Sequence, residues 1–169
     1  MSMIRSTTAI ALALGLVAAL PTGLASHGWA AGTSSNSSTN NSSNASSTAE
    51  DYDNAVSNVK AGNYEAAIPL LQKVVTASPR NPDALNYLGF SYRKTGNVNQ
   101  ALVYYQRALD LQPKHLGANE YMGELYLEMK NLPKAEERLA VLKEACTSCE
   151  EYTELKEKVG QYKKTAQSS

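Results

Sequence analysis

Apolar residues recur at helical spacing along most of this chain. In the stretch 150–164, charged residues separate four apolar positions that are three or four residues apart: Tyr152, Leu155, Val159 and Tyr162. Such a stripe predicts an amphipathic helix with one buried face. The same reasoning predicts seven helices, over residues 51–61, 64–77, 82–95, 98–111, 116–129, 132–146 and 150–164. No stretch alternates between apolar and polar residues as a strand does, so the sequence predicts an all-α fold.

Segments of the chain repeat one another at a fixed distance. "GNYEAAIPLLQKVVTASP" at 62–79 recurs as "GNVNQALVYYQRALDLQP" at 96–113, and a weaker copy, "KNLPKAEERLAVLKEACT", occupies 130–147. The offset is 34 residues each time. This period, with helical apolar spacing in both halves, resembles the tetratricopeptide repeat, a helix-turn-helix unit that stacks into a solenoid. The resemblance implies three repeats and a capping helix, at residues 48–81, 82–115, 116–149 and 150–164.

Small residues fall where the two helices of each repeat must approach closely. The first helices carry Ala55, Gly89 and Gly123, and the opposing positions of the second helices are Ala67, Ala101 and Ala135. Larger side chains would push the helices apart, because protein interiors are close-packed. The resemblance therefore implies an α-solenoid domain at 49–165, followed by a disordered tail at 166–169.

The N-terminal segment differs in composition from the predicted domain. One positive charge, Arg5, precedes a twelve-residue apolar run, and Pro21 and small residues follow it. This order is typical of a secretory signal peptide. We expect residues 1–30 to be removed by cleavage near Ala25 or Ala30, which would make the protein periplasmic or secreted. An uncleaved N-terminal anchor is the alternative.

The segment 31–48 is rich in Ser and Asn and carries no charge. It has no large apolar side chain to bury, so we expect a disordered linker. The whole chain has 16 basic and 16 acidic residues, a net charge of zero. This balance gives no electrostatic argument for nucleic acid or for an anionic membrane as a partner. We expect no membrane insertion once the signal peptide is removed.

The only two cysteines, Cys146 and Cys149, stand where the third repeat meets the capping helix. A C-x-x-C pair can be a disulfide clip, a redox site, half of a zinc site or a haem attachment. Haem attachment needs histidine at position 150, where Glu150 stands, and zinc needs two further Cys or His ligands. Paired thiols of exported proteins normally oxidise. We therefore expect a structural disulfide, with a thiol-disulfide redox role as the alternative.

The sequence contains no nucleophile elbow, phosphate-binding loop or dinucleotide fingerprint. We predict no catalytic residue, no metal and no cofactor. The resemblance implies instead a non-catalytic adaptor, a monomer or a weakly self-associating protein, whose first helices line a concave groove for a peptide or partner protein. Matching the repeats gives as groove residues Tyr52, Val56, Lys60, Asn86, Phe90, Arg93, Lys94, Glu120, Glu124 and Glu128. A redox participant and a structural subunit of an envelope assembly are the alternatives.

The groove residues carry three expectations about the ligand. Phe90, the only phenylalanine of the chain, is expected to face outwards as an apolar anchor, and packing against the neighbouring repeat is the alternative. The basic pair Arg93 and Lys94 is expected to meet an acidic part of the ligand. The acidic stripe is expected to meet a basic part, and it consists of Glu120, Glu124 and Glu128.

Chaperone-binding relatives of this repeat hold a C-terminal carboxylate with a clamp of lysine, asparagine and arginine. Other residues take the corresponding places here, namely Tyr52, Val56, Tyr87, Gly117 and Tyr121. Binding of that particular kind is therefore not expected.

Overall fold

The computed structural model of this protein describes the backbone of residues 38–167 and the side chains from residue 45 onwards. Within this range the chain forms seven α-helices and no strand. Their bounds are α1 Ser38–Lys60, α2 Tyr64–Ala77, α3 Pro82–Lys94, α4 Val98–Leu111, α5 Leu116–Glu128, α6 Leu132–Ala145 and α7 Glu150–Gln167. The predicted signal peptide, its cleavage sites and the start of the predicted linker lie outside the described residues.

Consecutive helices pack into three hairpins, α1 with α2, α3 with α4 and α5 with α6. Each hairpin also packs against the next, and α7 packs on both α5 and α6. The stacking makes an all-α repeat solenoid, as the 34-residue period predicted.

Each hairpin turn has one residue in the left-handed backbone region, and these three residues are again 34 apart. Gly62 has φ of 80° and Gly96 has φ of 82°, whereas the third turn uses Lys130 at φ 56°. Asparagine follows in every turn, and the Asn97 and Asn131 side chains accept hydrogen bonds from the backbone N–H groups of Gln100 and Lys134. The three turns therefore share one backbone geometry, which comes from the "GN" and "KN" pairs of the repeat.

The small residues predicted at the helix contacts are fully buried. A Cβ added at Gly89 would lie 2.8 Å from the ring of Tyr105, so the glycine makes room for a buried tyrosine. At Gly123 the added Cβ would lie 2.5 Å from the side chain of Leu155. The second contact shows that α7 docks through Leu155 into the space that a glycine of α5 leaves open.

The first helix is longer than predicted. It begins at Ser38 instead of residue 51, so the prediction of disorder is wrong for residues 38–48. Ser, Asn and Thr are weak helix formers, and their abundance favoured a linker. Extending a helix that is already nucleated and packed costs far less than starting one, which accounts for the difference.

The last helix also runs beyond its predicted end at residue 164 and reaches Gln167. Two residues of the predicted disordered tail are therefore helical, by the same extension of an existing helix. None of the helices in the described range is both long enough and apolar enough to cross a membrane.

Candidate partner-binding groove

The first helices of the repeats, α1, α3 and α5, bring their groove positions into line with those of α7. One row, 34 residues apart, consists of Tyr52, Asn86, Glu120 and Glu154. The next row, one helical turn further on, consists of Val56, Phe90, Glu124 and Lys158. α7 therefore continues the repeat register as a fourth first helix and supplies one wall of the groove.

The half of the groove formed by α1 and α3 is largely aromatic. Tyr52 and Tyr87 meet edge to face with ring centroids 6.2 Å apart, and both are half-buried. Val56 is half-buried and Lys60 is exposed. Asn86 is buried, contrary to its predicted place on the groove surface, because its side chain fills the space beside Gly117.

Phe90 packs against the neighbouring repeats, which was the alternative to the predicted outward-facing anchor. Its ring lies between Tyr64, at a centroid distance of 5.8 Å, and Tyr121, at 4.6 Å. The Lys94 ammonium lies 5.2 Å from the ring centroid, which is within the range of a cation–π contact. Aromatic packing between successive repeats is thus the physical reason that Phe90 is half-buried.

The Arg93 side chain forms ion pairs with glutamates of the same chain. It does not face the groove as a free cation, which corrects the prediction that it meets an acidic part of the ligand. Its side chain is only 8% exposed. Its Nε donates to Glu128 Oε1 at 3.0 Å, and Nη1 donates to Glu124. Burial alone would lower the pKa of Arg93, but its hydrogen bonds and ion pairs with Glu128 and Glu124 raise it. Arg93 therefore joins α3 to α5.

The acidic stripe is not a row of three equivalent carboxylates. Glu128 is exposed and bonds to Arg93. Glu124 is buried and accepts hydrogen bonds from Arg93 and from Lys158 of α7. Burial would raise the pKa of Glu124, but the Lys158 hydrogen bond and the charge of Arg93 outweigh it and lower the pKa.

Glu120 has the opposite environment. It is buried, and burial together with the charges of Glu124 and Glu154 and a hydrogen bond to Glu154 raises the pKa of Glu120 to about 8. Carboxylate oxygens of these three glutamates lie within 4.8 Å of one another. Because Glu124 is already bonded to Arg93 and Lys158, we assign no metal to this cluster.

A cleft of about 360 Å³ opens between α3, α5 and α7. We call it the C-terminal cleft, and its lining residues are Phe90, Lys94, Glu120, Tyr121, Glu124, Glu150, Glu151, Glu154 and Lys158. The four residues from α7 were absent from the predicted site, because the sequence analysis treated that helix only as a cap. The signal was present: adding one 34-residue period to Glu120 and Glu124 reaches Glu154 and Lys158.

The cysteines lie in the short connection between α6 and α7. The Cα atoms of Cys146 and Cys149 are 5.7 Å apart, a separation that a disulfide can bridge. This position agrees with a clip at the base of α7, although oxidation of the two thiols stays a prediction.

Comparison with known proteins identifies the repeat. A family model described as "Anaphase-promoting complex, cyclosome, subunit 3" matches residues 60–154, more than half of the chain. No curated protein matches the chain.

Three solved structures illustrate the likeness of the fold. The Sgt2 TPR domain from Aspergillus fumigatus is 18% identical, with a TM-score of 0.64 over 72% of this chain and 82% of that one. The first TPR of Spaghetti (RPAP3), bound to the HSP90 peptide SRMEEVD, is 20% identical with a TM-score of 0.63 over 73% and 95%. The Yersinia enterocolitica type III secretion chaperone SycD, in complex with a peptide of the translocator YopD, is 21% identical with a TM-score of 0.59 over 67% and 86%.

Proposed function

The chain belongs to the tetratricopeptide-like repeat family described as anaphase-promoting complex, cyclosome, subunit 3, and from this premise we propose that it is a non-catalytic adaptor. Its ligand is a peptide or a segment of a partner protein, held in the concave groove. Two structural neighbours are solved with peptides bound, RPAP3 with an HSP90 peptide and SycD with a YopD peptide. At this low sequence identity, the two neighbours show only that the fold is shared. The ligand of this chain is therefore inferred from the residues of its own groove.

The observation that carries the proposal is the C-terminal cleft, which combines aromatic rings with an excess of acid. Phe90 and Tyr121 are in contact there, and the lining contains five glutamates against two lysines. The charge of Glu124 is compensated by ion pairs with Arg93 and Lys158. In contrast, Glu150 is exposed to solvent and Glu151 is half-buried. A Lys or Arg side chain fits this chemistry, because a cation is attracted both by carboxylates and by aromatic faces.

The aromatic half of the groove suits the apolar part of the same segment. Half-buried Tyr52 and Tyr87 present amphipathic surface with few rotatable bonds, which contributes contact area at a small entropic cost. We therefore propose a ligand in which an apolar residue lies over α1 and α3 and a basic residue enters the C-terminal cleft. This assignment replaces the expected acidic contact of Arg93.

A random peptide library selected on the purified protein tests the ligand class. Selected peptides should be enriched in basic residues next to apolar ones. For a selected peptide measured by fluorescence anisotropy, the charge reversal Glu150→Lys with Glu151→Lys should weaken binding by about tenfold, equivalent to roughly 1.4 kcal/mol. Lys94→Ala should strengthen binding, because it removes the chain's own cation from Phe90.

The matched control reverses the same number of charges away from the cleft, at the exposed Glu137 of α6 and Glu157 of α7. Its affinity should stay within about twofold of wild type, and circular dichroism should show the same helicity for all variants. Equal loss of binding in the control and cleft variants would mean that the effect is general electrostatics. Selected peptides without basic residues would contradict the proposed ligand.

We also propose that the protein acts in the periplasm or outside the cell and that Cys146 and Cys149 form a disulfide there. The support is the signal-like N-terminal segment and the bridgeable separation of the two Cα atoms. Intact-mass measurement of protein isolated without reductant should give a chain that starts near Ser26 or Ala31 and lacks the two hydrogen atoms that are lost when one disulfide forms. A native chain that begins at Met1 with two free thiols would rule out this part of the proposal.

A further inference from the structure

The contact between α5 and α7 brings two glutamates together across the helix boundary. Glu120 of α5 is only 4% exposed, and Glu154 of α7 is half-buried. Oxygens of Glu120, Glu124 and Glu154 lie within 4.8 Å of one another. Two negative charges at such a distance repel, and the burial of Glu120 removes water that would otherwise screen its charge, so a proton retained between the two carboxylates is favoured.

The surrounding cations do not compensate all of this negative charge. From α3, Arg93 is bonded to Glu124 and Glu128, and Lys94 lies over the Phe90 ring. From α7, Lys158 bonds to Glu124 and reaches Glu154 Oε2 at 3.3 Å. The remaining charged or titratable groups that line the cleft are Tyr121, Glu150 and Glu151. Arg93 and Lys158 thus form ion pairs with three carboxylates, those of Glu124, Glu128 and Glu154, and Glu120 forms an ion pair with neither of the two cations.

We propose that Glu120 and Glu154 form a proton-dependent latch between α5 and α7. With one proton retained, the protonated carboxyl donates a hydrogen bond to the ionised one and joins the two helices. When that proton is lost, two like charges face each other and α7 loosens from α5. The apolar anchors of α7, Leu155 and Val159, stay buried against the repeat, so the expected change is loosening instead of release.

The sign of the pH effect follows from proton binding. An unfolded glutamate titrates near pH 4.3, whereas burial and the neighbouring charges raise the pKa of folded Glu120 to about 8, so Glu120 retains its proton at higher pH. The folded state therefore binds more protons than the unfolded state between about pH 4.5 and pH 8. The stabilisation is complete below this window and is lost as pH rises through it. Loss of one proton raises the unfolding equilibrium constant by up to about tenfold per pH unit.

The latch itself does not depend on the proposed function, but its consequence for the groove does. α7 supplies four of the residues that line the C-terminal cleft. A loosened α7 would move these side chains relative to Phe90 and Tyr121. Ligand binding is therefore expected to weaken at a pH where the latch is open.

The test compares the full-length chain with Glu120→Gln by urea denaturation from about pH 5.5 to pH 9.5. Glutamine has the shape of the protonated carboxyl and no titration. The stability of the variant relative to wild type, expressed as the ratio of the two unfolding equilibrium constants, should increase by at least about tenfold between pH 5.5 and pH 9. The matched control Glu157→Gln, on the exposed side of α7, should follow wild type at every pH.

Two further measurements keep the test decisive. NMR titration of the glutamate side-chain carboxyl carbons should show Glu120 titrating above about pH 6.5. Glu154→Gln replaces Glu120→Gln if the latter does not fold. Parallel pH profiles for wild type and the glutamine variant, or titration of Glu120 below about pH 5.5, would overturn the latch. If the latch titrates but a selected basic peptide binds equally at both ends of the range, the latch stands and its link to the proposed groove fails.

Discussion

The two halves of the groove carry chemically different side chains at equivalent positions of the repeat. The positions that carry Tyr52 and Asn86 on α1 and α3 carry Glu120 and Glu154 on α5 and α7. Aromatic contacts connect α1 with α3, and ion pairs connect α3 with α5 and α5 with α7. Apolar contacts therefore connect the helices at both ends of the groove, and ion pairs are added to them at the C-terminal end.

This difference indicates which half of the groove should respond to pH and salt. Apolar burial hardly depends on pH or salt, whereas ion pairs depend on protonation and are screened when exposed. We expect the α1–α3 half to be a constant platform and the α5–α7 half to change with pH. The following substitutions test that division.

Loss of Arg93 should have the largest effect, because it removes the cation that joins the two halves. Arg93→Ala leaves the buried Glu124 with Lys158 alone, and breaking a buried ion pair by removing one partner costs about 3 kcal/mol of unfolding free energy. Urea denaturation at neutral pH measures this loss. Lys94→Ala, one residue away and exposed, is the control and should cost under about 1 kcal/mol. Equal costs for the two variants would show that Arg93 is not part of the structural core.

The contacts of Arg93 also show why its burial could not be predicted from the sequence of α3 alone. The sequence places Arg93 and Lys94 side by side on one helix, and nothing local distinguishes the buried side chain from the exposed one. The partners of Arg93 lie 31 and 35 residues away, on α5. Their distance in sequence is close to one repeat, so the pairing becomes visible only when adjacent repeats are stacked.

The fold was more predictable than the site, for a physical reason. Helices α2 and α4 have their predicted bounds, because apolar period, turn glycines and prolines all point to the same limits. The start of α1 was missed because its first turns consist of weak helix formers. The extension of a helix from a packed segment leaves no signal in the local sequence. Groove exposure depends on contacts between repeats, so Phe90 and Asn86 could not be placed from the sequence of one helix.

Gly123→Ala should have an intermediate effect that is confined to the charged half. The added Cβ would come within 2.5 Å of Leu155, the buried anchor of α7. Overpacking of this kind costs about 1–3 kcal/mol, and hydrogen exchange should increase mainly in residues 150–167. Gly160→Ala is the matched control, because its added Cβ meets nothing within 4 Å and alanine favours a helix by up to about 1 kcal/mol. Uniformly faster exchange over all helices would contradict a local role for Gly123.

Lys130→Gly should have the smallest effect, in the direction of greater stability. The turns of the first two repeats use Gly62 and Gly96 at positive φ, but the third repeat holds Lys130 there at φ 56°. A side chain in this region costs roughly 1–2 kcal/mol, and the higher backbone entropy of glycine in the unfolded chain offsets part of the gain. We expect a net stabilisation of about 0.5–1 kcal/mol, measured as a higher urea midpoint at unchanged slope. Because Lys130 is exposed and lies outside the C-terminal cleft, the gain should be the same at pH 6 as at about pH 9. A gain that changes with pH would show that the turn is coupled to the α5–α7 charges, and the division between the two halves would then have to include the third turn.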